Sequence, residues 1–201
     1  MRRNPSTVVA LAGQAPGEVL AAVGRSMNAT VVRPDEAAGA GGDAMAAAAA
    51  ALRQAGRVTA AYALVLADPL ATVAASWQEM WDVARPQGPQ GPQGFEREAA
   101  KALAAWRAGQ FELPDYYLVL AAGDPGEHGP DFHLGPLRAA RPHRVAFVAA
   151  AESAQQAVGV LHALGSLRHG PWWPDLDRML EAARTFYPGS LAEGSAALTA
   201  P

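Results

Sequence analysis

The sequence predicts a single α/β domain: a three-layer α/β/α sandwich with a mostly parallel sheet of about five strands. Short apolar runs recur along the chain and alternate with stretches of helical periodicity. Several of these runs are apolar throughout, which is typical of strands covered by helices on both faces. The chain has 201 residues and is 50% hydrophobic, so it is long enough to bury one full core.

Three strands and three helices are expected in the first part of the chain. The strands are predicted at 7–12, 30–33 and 61–67, and the helices at 16–25, 43–54 and 69–81. Asp43 and Asp68 are good N-cap residues, and Pro16 and Pro69 suit a first helical turn. The third helix has one apolar stripe, formed by Leu70, Val73, Ala74, Trp77, Met80 and Trp81.

A segment with three Pro-Gln-Gly triplets, residues 85–95, interrupts this alternation. Three triplets are too few to sustain a collagen triple helix. Proline and glycine at this density instead predict a flexible loop, with a helix beginning after it at about Phe95 and running to Arg107.

The second half of the chain predicts two more strands, at 115–121 and 144–149, and a short helix at 134–140 between them. A further helix is expected to bury one face, composed of Ala154, Ala157, Val158, Leu161 and Leu164. The last helix has the stripe Leu176, Met179, Leu180, Ala183, Phe186 and Tyr187. The domain is therefore expected to span 1–188, with a frayed tail at 189–201.

Composition excludes several classes of function. A net charge of -3 is not the footprint of a nucleic-acid binder, and the lack of cysteine rules out thiolate chemistry and Cys-ligated metals. No apolar run reaches the length of about 18 residues that a membrane span requires, so a soluble cytoplasmic protein is expected. Lys101 is the only lysine, and any lysine-dependent mechanism would need it.

Four segments of the chain carry a resemblance to a known family. They are, in order, "TVVALAG" before a turn and a helix, "VVRPDEAAGAGG", "PDYYLVLAAGDP", and "RVAFVAAAESAQQAVGVLHAL". Their order and shape, over about residues 6–165, resemble the P-loop nucleoside and nucleotide kinases, the thymidylate kinase type in particular. The resemblance implies that "GQAPG", which begins at Gly13, occupies the place of the phosphate-binding loop.

The residues of this turn do not suit that chemistry. A P-loop reads Gly-x4-Gly-Lys-Ser/Thr, because the lysine reaches the β- and γ-phosphates and the hydroxyl binds magnesium. From Gly13 the chain reads GQAPGEVL, and Glu18 takes the place of the Walker A lysine. The resemblance therefore implies a degenerate phosphate-binding loop, and no cofactor is expected.

Candidate ligand and catalytic residues cluster at one edge of the predicted sheet, because right-handed crossovers bring the loops after successive parallel strands together there. Asp68 follows the third strand and is a candidate catalytic residue as well as a helix cap. Ligand contacts are predicted, in addition, for the residues that end other strands on this edge: Gly13, Gln14, Arg33 and Asp124.

The densest polar cluster is the loop "GDPGEHGPDFH". His128 and Asp131 are candidate acid–base residues within it, because imidazole and carboxylate groups exchange protons near neutral pH. Glu127, His128, Asp131 and His133 are weak candidates for a metal site, but their spacing matches no known ligand pattern and no metal is predicted. A solvated loop is the alternative interpretation.

The motif "HGPWWPDL" places Trp172 and Trp173 between two prolines. Adjacent residues of an extended segment point in opposite directions, so burying both rings requires a second surface. That surface is either the last helix or a protein partner, since Trp is favoured at interface hot spots.

Two functions remain open from the sequence. The preferred one is a non-catalytic binding or regulatory protein, a partner-binding subunit that meets another protein or forms a homo-oligomer. The alternative is a small-molecule transferase or hydrolase that uses Asp68 and the loop from Asp124 to His133. Neither a nucleic acid nor a membrane is expected as a partner.

Overall fold

The computed structural model describes residues 6–13, 15–34, 43–81, 91–122, 131–150 and 153–186. The strands are β1 (Thr7–Ala12), β2 (Ala29–Val32), β3 (Tyr62–Val65), β4 (Tyr116–Ala122) and β5 (Val145–Ala150). The helices are α1 (Gly17–Met27), α2 (Ala44–Ala55), α3 (Ala71–Trp81), α4 (Gly91–Arg107), α5 (Arg138–Ala140), α6 (Ser153–Gly165) and α7 (Leu176–Thr185).

The five strands form one sheet in the order β2-β3-β1-β4-β5, and every pair is parallel. This confirms the predicted three-layer α/β/α class. β1 lies at the centre, where Ala10 is paired with Val65 of β3 on one side and Tyr117 of β4 on the other. Since all strands run the same way, their carboxyl ends share one edge of the sheet.

Alternate residues of β1 supply the two halves of the core. Val9 and Leu11 face the layer of α1 and α6. Val8 and Ala10 face the opposite layer, which contains α2, α3, α4 and α7. Trp77 lies fully buried in that second layer, and its Nε1 donates to the carbonyl oxygen of Ala183, 2.8 Å away. Each face of the sheet is therefore covered by helices.

Apolar runs and capping residues in the sequence predict most of the strand and helix boundaries correctly. β1 spans the predicted residues, and Asp43 caps α2 by accepting a hydrogen bond from the backbone nitrogen of Met45 at 3.0 Å. α4 begins at Gly91, four residues before the predicted Phe95, so the third Pro-Gln-Gly triplet belongs to the helix. Pro92 is tolerated there because the first turn of a helix needs no backbone donor. Residues 82–90 lie outside the described parts of the chain.

The buried face of α6 differs from the predicted one. Ala157 and Leu164 are buried as expected, together with Gln156, Val160 and Ala163, but Val158 is 66% exposed. α6 is thus rotated about its axis relative to the prediction, and its close approach to the sheet explains this rotation. Gly159 lies so close to β5 that a Cβ there would come within 2.7 Å of Cγ1 of Val148, and this contact turns Val158 outward.

The segment between β4 and β5 replaces the predicted helix 134–140 with two short pieces. A π-helical turn spans His133–Leu137, and α5 follows it directly. Gly135 has a non-helical backbone and Pro136 lacks a donor, which explains why no regular helix forms. Within the described residues, no helix has the length and apolar character needed to cross a bilayer.

Candidate functional site

Asp68 lies just beyond β3, at the carboxyl edge of the sheet. Its Oδ1 accepts a hydrogen bond from the backbone nitrogen of Leu70 at 2.9 Å, so it caps the turn that leads into α3. The carboxylate is almost completely buried, with 8% of its side chain exposed. A buried carboxylate needs further partners, and two side chains from β4 and the segment after it supply them.

Tyr117 is the first of these partners. It is fully buried in β4, and its hydroxyl donates to Oδ1 of Asp68 at 2.9 Å. Burial and the Asp68 carboxylate raise the pKa of Tyr117 well above its ordinary value, so the phenol remains protonated. Tyr117 is not among the candidates from the sequence, where it is one of two adjacent tyrosines in an otherwise apolar strand.

His133 is the second partner, and its Nε2 lies 2.9 Å from Oδ2 of Asp68. Asp131 holds the histidine in place: its Oδ1 accepts hydrogen bonds from the backbone nitrogens of His133 and Leu134, at 2.8 and 2.9 Å. The same Oδ1 lies 3.8 Å from Nδ1 of His133. Two of the candidate residues from the sequence, Asp68 and His133, are thus in direct contact, and Asp131 adjoins them.

The electrostatics of this group favour a charged imidazole. Burial opposes the charge, but the hydrogen bond and charge of Asp68, with Asp131 beyond it, raise the pKa of His133 above its ordinary value. Each ring nitrogen faces a carboxylate: Nε2 faces Asp68 and Nδ1 faces Asp131. A general base needs a free nitrogen within reach of substrate, whereas this ring joins the loop after β3 to the segment after β4.

The turn after β1 is packed against the backbone of β4. Gly13 has a φ of +103°, and a Cβ at this position would overlap the carbonyl oxygen of Leu120. α1 starts four residues later, with Pro16 accepting from the backbone nitrogens of Val19 and Leu20. The glycine therefore has a structural reason to be there, independent of any phosphate.

The other predicted ligand and metal positions are less informative. Arg33 is exposed after β2, and β3 separates that strand from β1. Gln14, Asp124, Glu127 and His128 lie outside the described residues. In the described ranges, no three His, Cys, Asp or Glu side chains are grouped so that they could hold a metal ion.

The two tryptophans separate as adjacent residues of an extended segment should. Trp173 is buried, and its Nε1 donates to the carbonyl oxygen of Pro114 at 2.7 Å. Trp172 is 52% exposed. Trp173 attaches the segment to the core, which leaves the ring of Trp172 at the surface.

Arg144 fixes the position of Trp172. Its guanidinium lies over the indole ring, 4.5 Å from the ring centre. Although it is buried, it donates to the carbonyl oxygens of Pro171, Asp115 and Gly170 at 2.7, 2.8 and 3.0 Å. Burial lowers the pKa of Arg144 below its ordinary value, because removal from water disfavours the charged guanidinium.

The Arg144–Trp172 pair lies at the opposite edge of the sheet from Asp68. Arg144 and Asp115 immediately precede β5 and β4, so they mark the amino ends of those strands. The sequence predicts ligand binding at the carboxyl edge, and no pattern in it assigns Trp172 to either edge. The two candidate regions therefore belong to different edges of the sheet, and Tyr117 lies between them: its hydroxyl contacts Asp68 and its ring centre lies 5.8 Å from that of Trp173.

Two clefts of about 420 Å³ each lie away from both regions. One lies between β5 and α6, and the other between α4 and α7. Neither is lined by Asp68, His133 or Trp172. In comparisons with known proteins, no family model, curated protein or solved structure matches the chain.

Proposed function

We propose that this chain is a non-catalytic binding or regulatory protein, a partner-binding subunit that contacts its partner through Trp172. The observation that carries the proposal is an indole that is half exposed and yet held in one orientation by a buried arginine. Tryptophan is enriched at interface hot spots, and an anchor that is ordered before binding loses less entropy when the partner arrives.

The hydrogen bonds around Trp172 support this role. The carbonyl oxygen of Trp172 accepts from Nε of Arg141 at 2.6 Å, and His143 Nε2 lies 3.0 Å from the carbonyl oxygen of Pro171. Together with the two bonds from Arg144 to Pro171 and Gly170, these contacts order the backbone of residues 170–172. Hydrogen bonds therefore fix the backbone that carries the exposed indole, and the guanidinium of Arg144 contacts the ring itself.

The Trp172→Ala variant tests the proposal. Wild type, Trp172→Ala and Val158→Ala are immobilised through the same tag, and bound proteins from a lysate of the source organism are quantified. Val158→Ala is the matched control because it removes the other large exposed apolar side chain of the described residues. A hot spot contributes about 2 kcal/mol of binding free energy, so we expect Trp172→Ala to raise the dissociation constant for the partner about 30-fold.

A partner retained by wild type and Val158→Ala but lost from Trp172→Ala supports the proposal. The same set of proteins on all three baits contradicts it. Folding of Trp172→Ala is checked by its melting temperature, which should fall only slightly, since Trp173 and the carbonyl contacts of Arg144 remain.

A small-molecule transferase or hydrolase stays as the second candidate, favoured by the contact between Asp68 and His133 at the carboxyl edge. Two observations argue against an enzyme: Asp68 and His133 are both buried, and the Asp68 carboxylate already occupies Nε2 of His133. The turn after β1 offers Glu18 where a phosphate would need a cation, and a negative charge there repels a triphosphate.

Thermal shifts with nucleotides discriminate between the two candidates. We expect the melting temperature to be the same with ATP or deoxynucleoside triphosphates, with or without magnesium. A magnesium-dependent rise in wild type that is absent in Asp68→Asn would favour the enzyme and overturn the non-catalytic assignment.

A further inference from the structure

α6 differs from the other long helices in its charge. Each of the other described helices of ten or more residues contains at least one Asp, Glu, Lys or Arg, whereas the 13 residues of α6 contain none. A helix on the surface of a globular protein ordinarily has charged residues on the face that meets water. The exposed side of α6 instead presents Val158, with Gln155 and His162 as its polar residues.

β5, the strand beneath α6, is an edge strand. It pairs with β4 on one side, and among the described residues no strand pairs with its other side. Its six residues, VAFVAA, include neither a charge nor a proline. Proteins usually protect such edges with Lys, Pro or a very short strand. The opposite edge, β2, has only four residues and is followed by Arg33 and Pro34.

The cleft of about 420 Å³ joins these two elements. Phe147 and Ala149 of β5 and Gln155, Gly159 and His162 of α6 line it. We call the outer edge of β5, this cleft and the exposed side of α6 the β5–α6 face. As far as the structure describes the chain, this face combines a row of backbone donors and acceptors that no strand pairs with and a partly apolar surface without formal charge beside it.

We infer that the β5–α6 face binds a second copy of this chain, with the two β5 strands paired antiparallel around a twofold axis. The two five-stranded sheets would then join into one. The axis stands perpendicular to the sheet, so both α6 helices lie on the same face, side by side across the junction. The open donors and acceptors of one edge are satisfied by those of the other.

Charge is the reason for choosing a second copy as the occupant. A twofold interface places a surface against itself, so any charge near the axis meets its own like charge. The described residues of the β5–α6 face have no formal charge, so they avoid this repulsion. Three arginines precede β5: Arg138, Arg141 and Arg144. In the antiparallel pair, the arginines of one copy lie at the opposite end from those of the other copy, about 20 Å apart along the strands. That distance exceeds the Debye length of about 8 Å at physiological salt.

The test introduces one charge on this face. Val158→Glu alters an exposed side chain, so the fold should be retained, and Ala75→Glu adds the same charge to an exposed position of α3 on the other side of the sheet. Sedimentation equilibrium over a concentration series measures the dimer dissociation constant. We expect wild type and Ala75→Glu to form the same dimer and Val158→Glu to raise the dissociation constant at least 100-fold.

Cross-linking tests the geometry directly. The chain has no cysteine, so Val158→Cys and Ala75→Cys each provide a single thiol. α6 contacts the middle of β5 through Gly159 and Val148, which places residue 158 near the twofold axis. We expect a short bis-maleimide to link Val158→Cys chains into covalent dimers and to leave Ala75→Cys chains monomeric.

Trp172→Ala separates this inference from the function proposed above, because that residue lies on another surface. A dimer that survives Trp172→Ala and is lost in Val158→Glu supports the β5–α6 face. The inference is overturned by a wild-type chain that is monomeric at about 100 μM, whether or not another protein binds it, or by a dimer that Val158→Glu leaves intact. A dimer lost only in Trp172→Ala also overturns it, and makes the partner at Trp172 a second copy.

Discussion

Replacing Gly13 with alanine is expected to lower the free energy of unfolding by about 3 kcal/mol or more, the sum of backbone strain and overpacking. The residue has a φ of +103°, where an L side chain is strained, and the added Cβ would overlap the carbonyl oxygen of Leu120. That oxygen belongs to β4, which pairs directly with β1, so it cannot move without disturbing the centre of the sheet. Urea denaturation followed by circular dichroism measures the loss.

Gly17→Ala is the matched control for Gly13→Ala, since both glycines lie in the same turn. Gly17 begins α1, and a Cβ there would meet nothing within 4 Å. Alanine at this position should stabilise the protein by about 0.5 kcal/mol through helix propensity and reduced freedom of the unfolded chain. Equal effects of the two substitutions would contradict the assignment of a structural role to Gly13.

The second large effect is expected at Asp68. Asp68→Ala leaves the buried ring of His133 and the hydroxyl of Tyr117 without their shared partner, and it removes the cap on Leu70. Breaking a buried ion pair from one side typically costs about 3–5 kcal/mol, and we expect a loss of that order near pH 6. Asp68→Asn preserves the shape and the acceptor for Tyr117, so its cost should be smaller.

The pH dependence of stability identifies the ion pair as the cause. Because the folded-state pKa of His133 is raised, the stability that it contributes is fully present below its unfolded pKa of about 6.5 and is lost as the pH rises through the folded value. Asp68→Asn removes that carboxylate, which supplies most of the stabilisation of the charged ring, so this pH-dependent contribution should be largely lost. The difference in unfolding free energy between wild type and Asp68→Asn should therefore shrink as the pH rises from 6 to 9. A difference in unfolding free energy that stays constant between pH 6 and 9 would show that the His133 imidazole is not charged in the folded protein.

The strands and most helices could be predicted because their signals are local. A buried parallel strand is a short apolar run, and the cap at Asp43 and the stripe around Trp77 depend on neighbours within a few turns of helix. The same local logic failed for α6, where Ala154 and Val158 have the spacing of a buried face. The helix is rotated by a contact with Val148, which no pattern within α6 records.

The candidate sites were predictable only in part, because their partners are distant along the chain. Asp68 and His133 were both candidates, yet their contact spans 65 positions and depends on the strand order, which the sequence did not specify. Tyr117 bonds to Asp68, and Arg144 bonds to carbonyl oxygens of residues 115, 170 and 171; none of these partners is near in sequence. Exposure of Trp172 rather than Trp173 follows from the carbonyl of Pro114, which accepts from only one of the two rings.

The central position of β1 has a consequence for the speed and order of folding. In this all-parallel sheet no strand pairs with a neighbour through a tight hairpin, and β1 meets its partner β4 late: Val8 binds Asp115, 107 positions further along the chain. During synthesis, β1 must therefore wait, with one edge unpaired, until the residues as far as β4 have followed it. Such a topology folds slowly, on the millisecond-to-second side of the known range, and makes the newly made chain a natural client of chaperones.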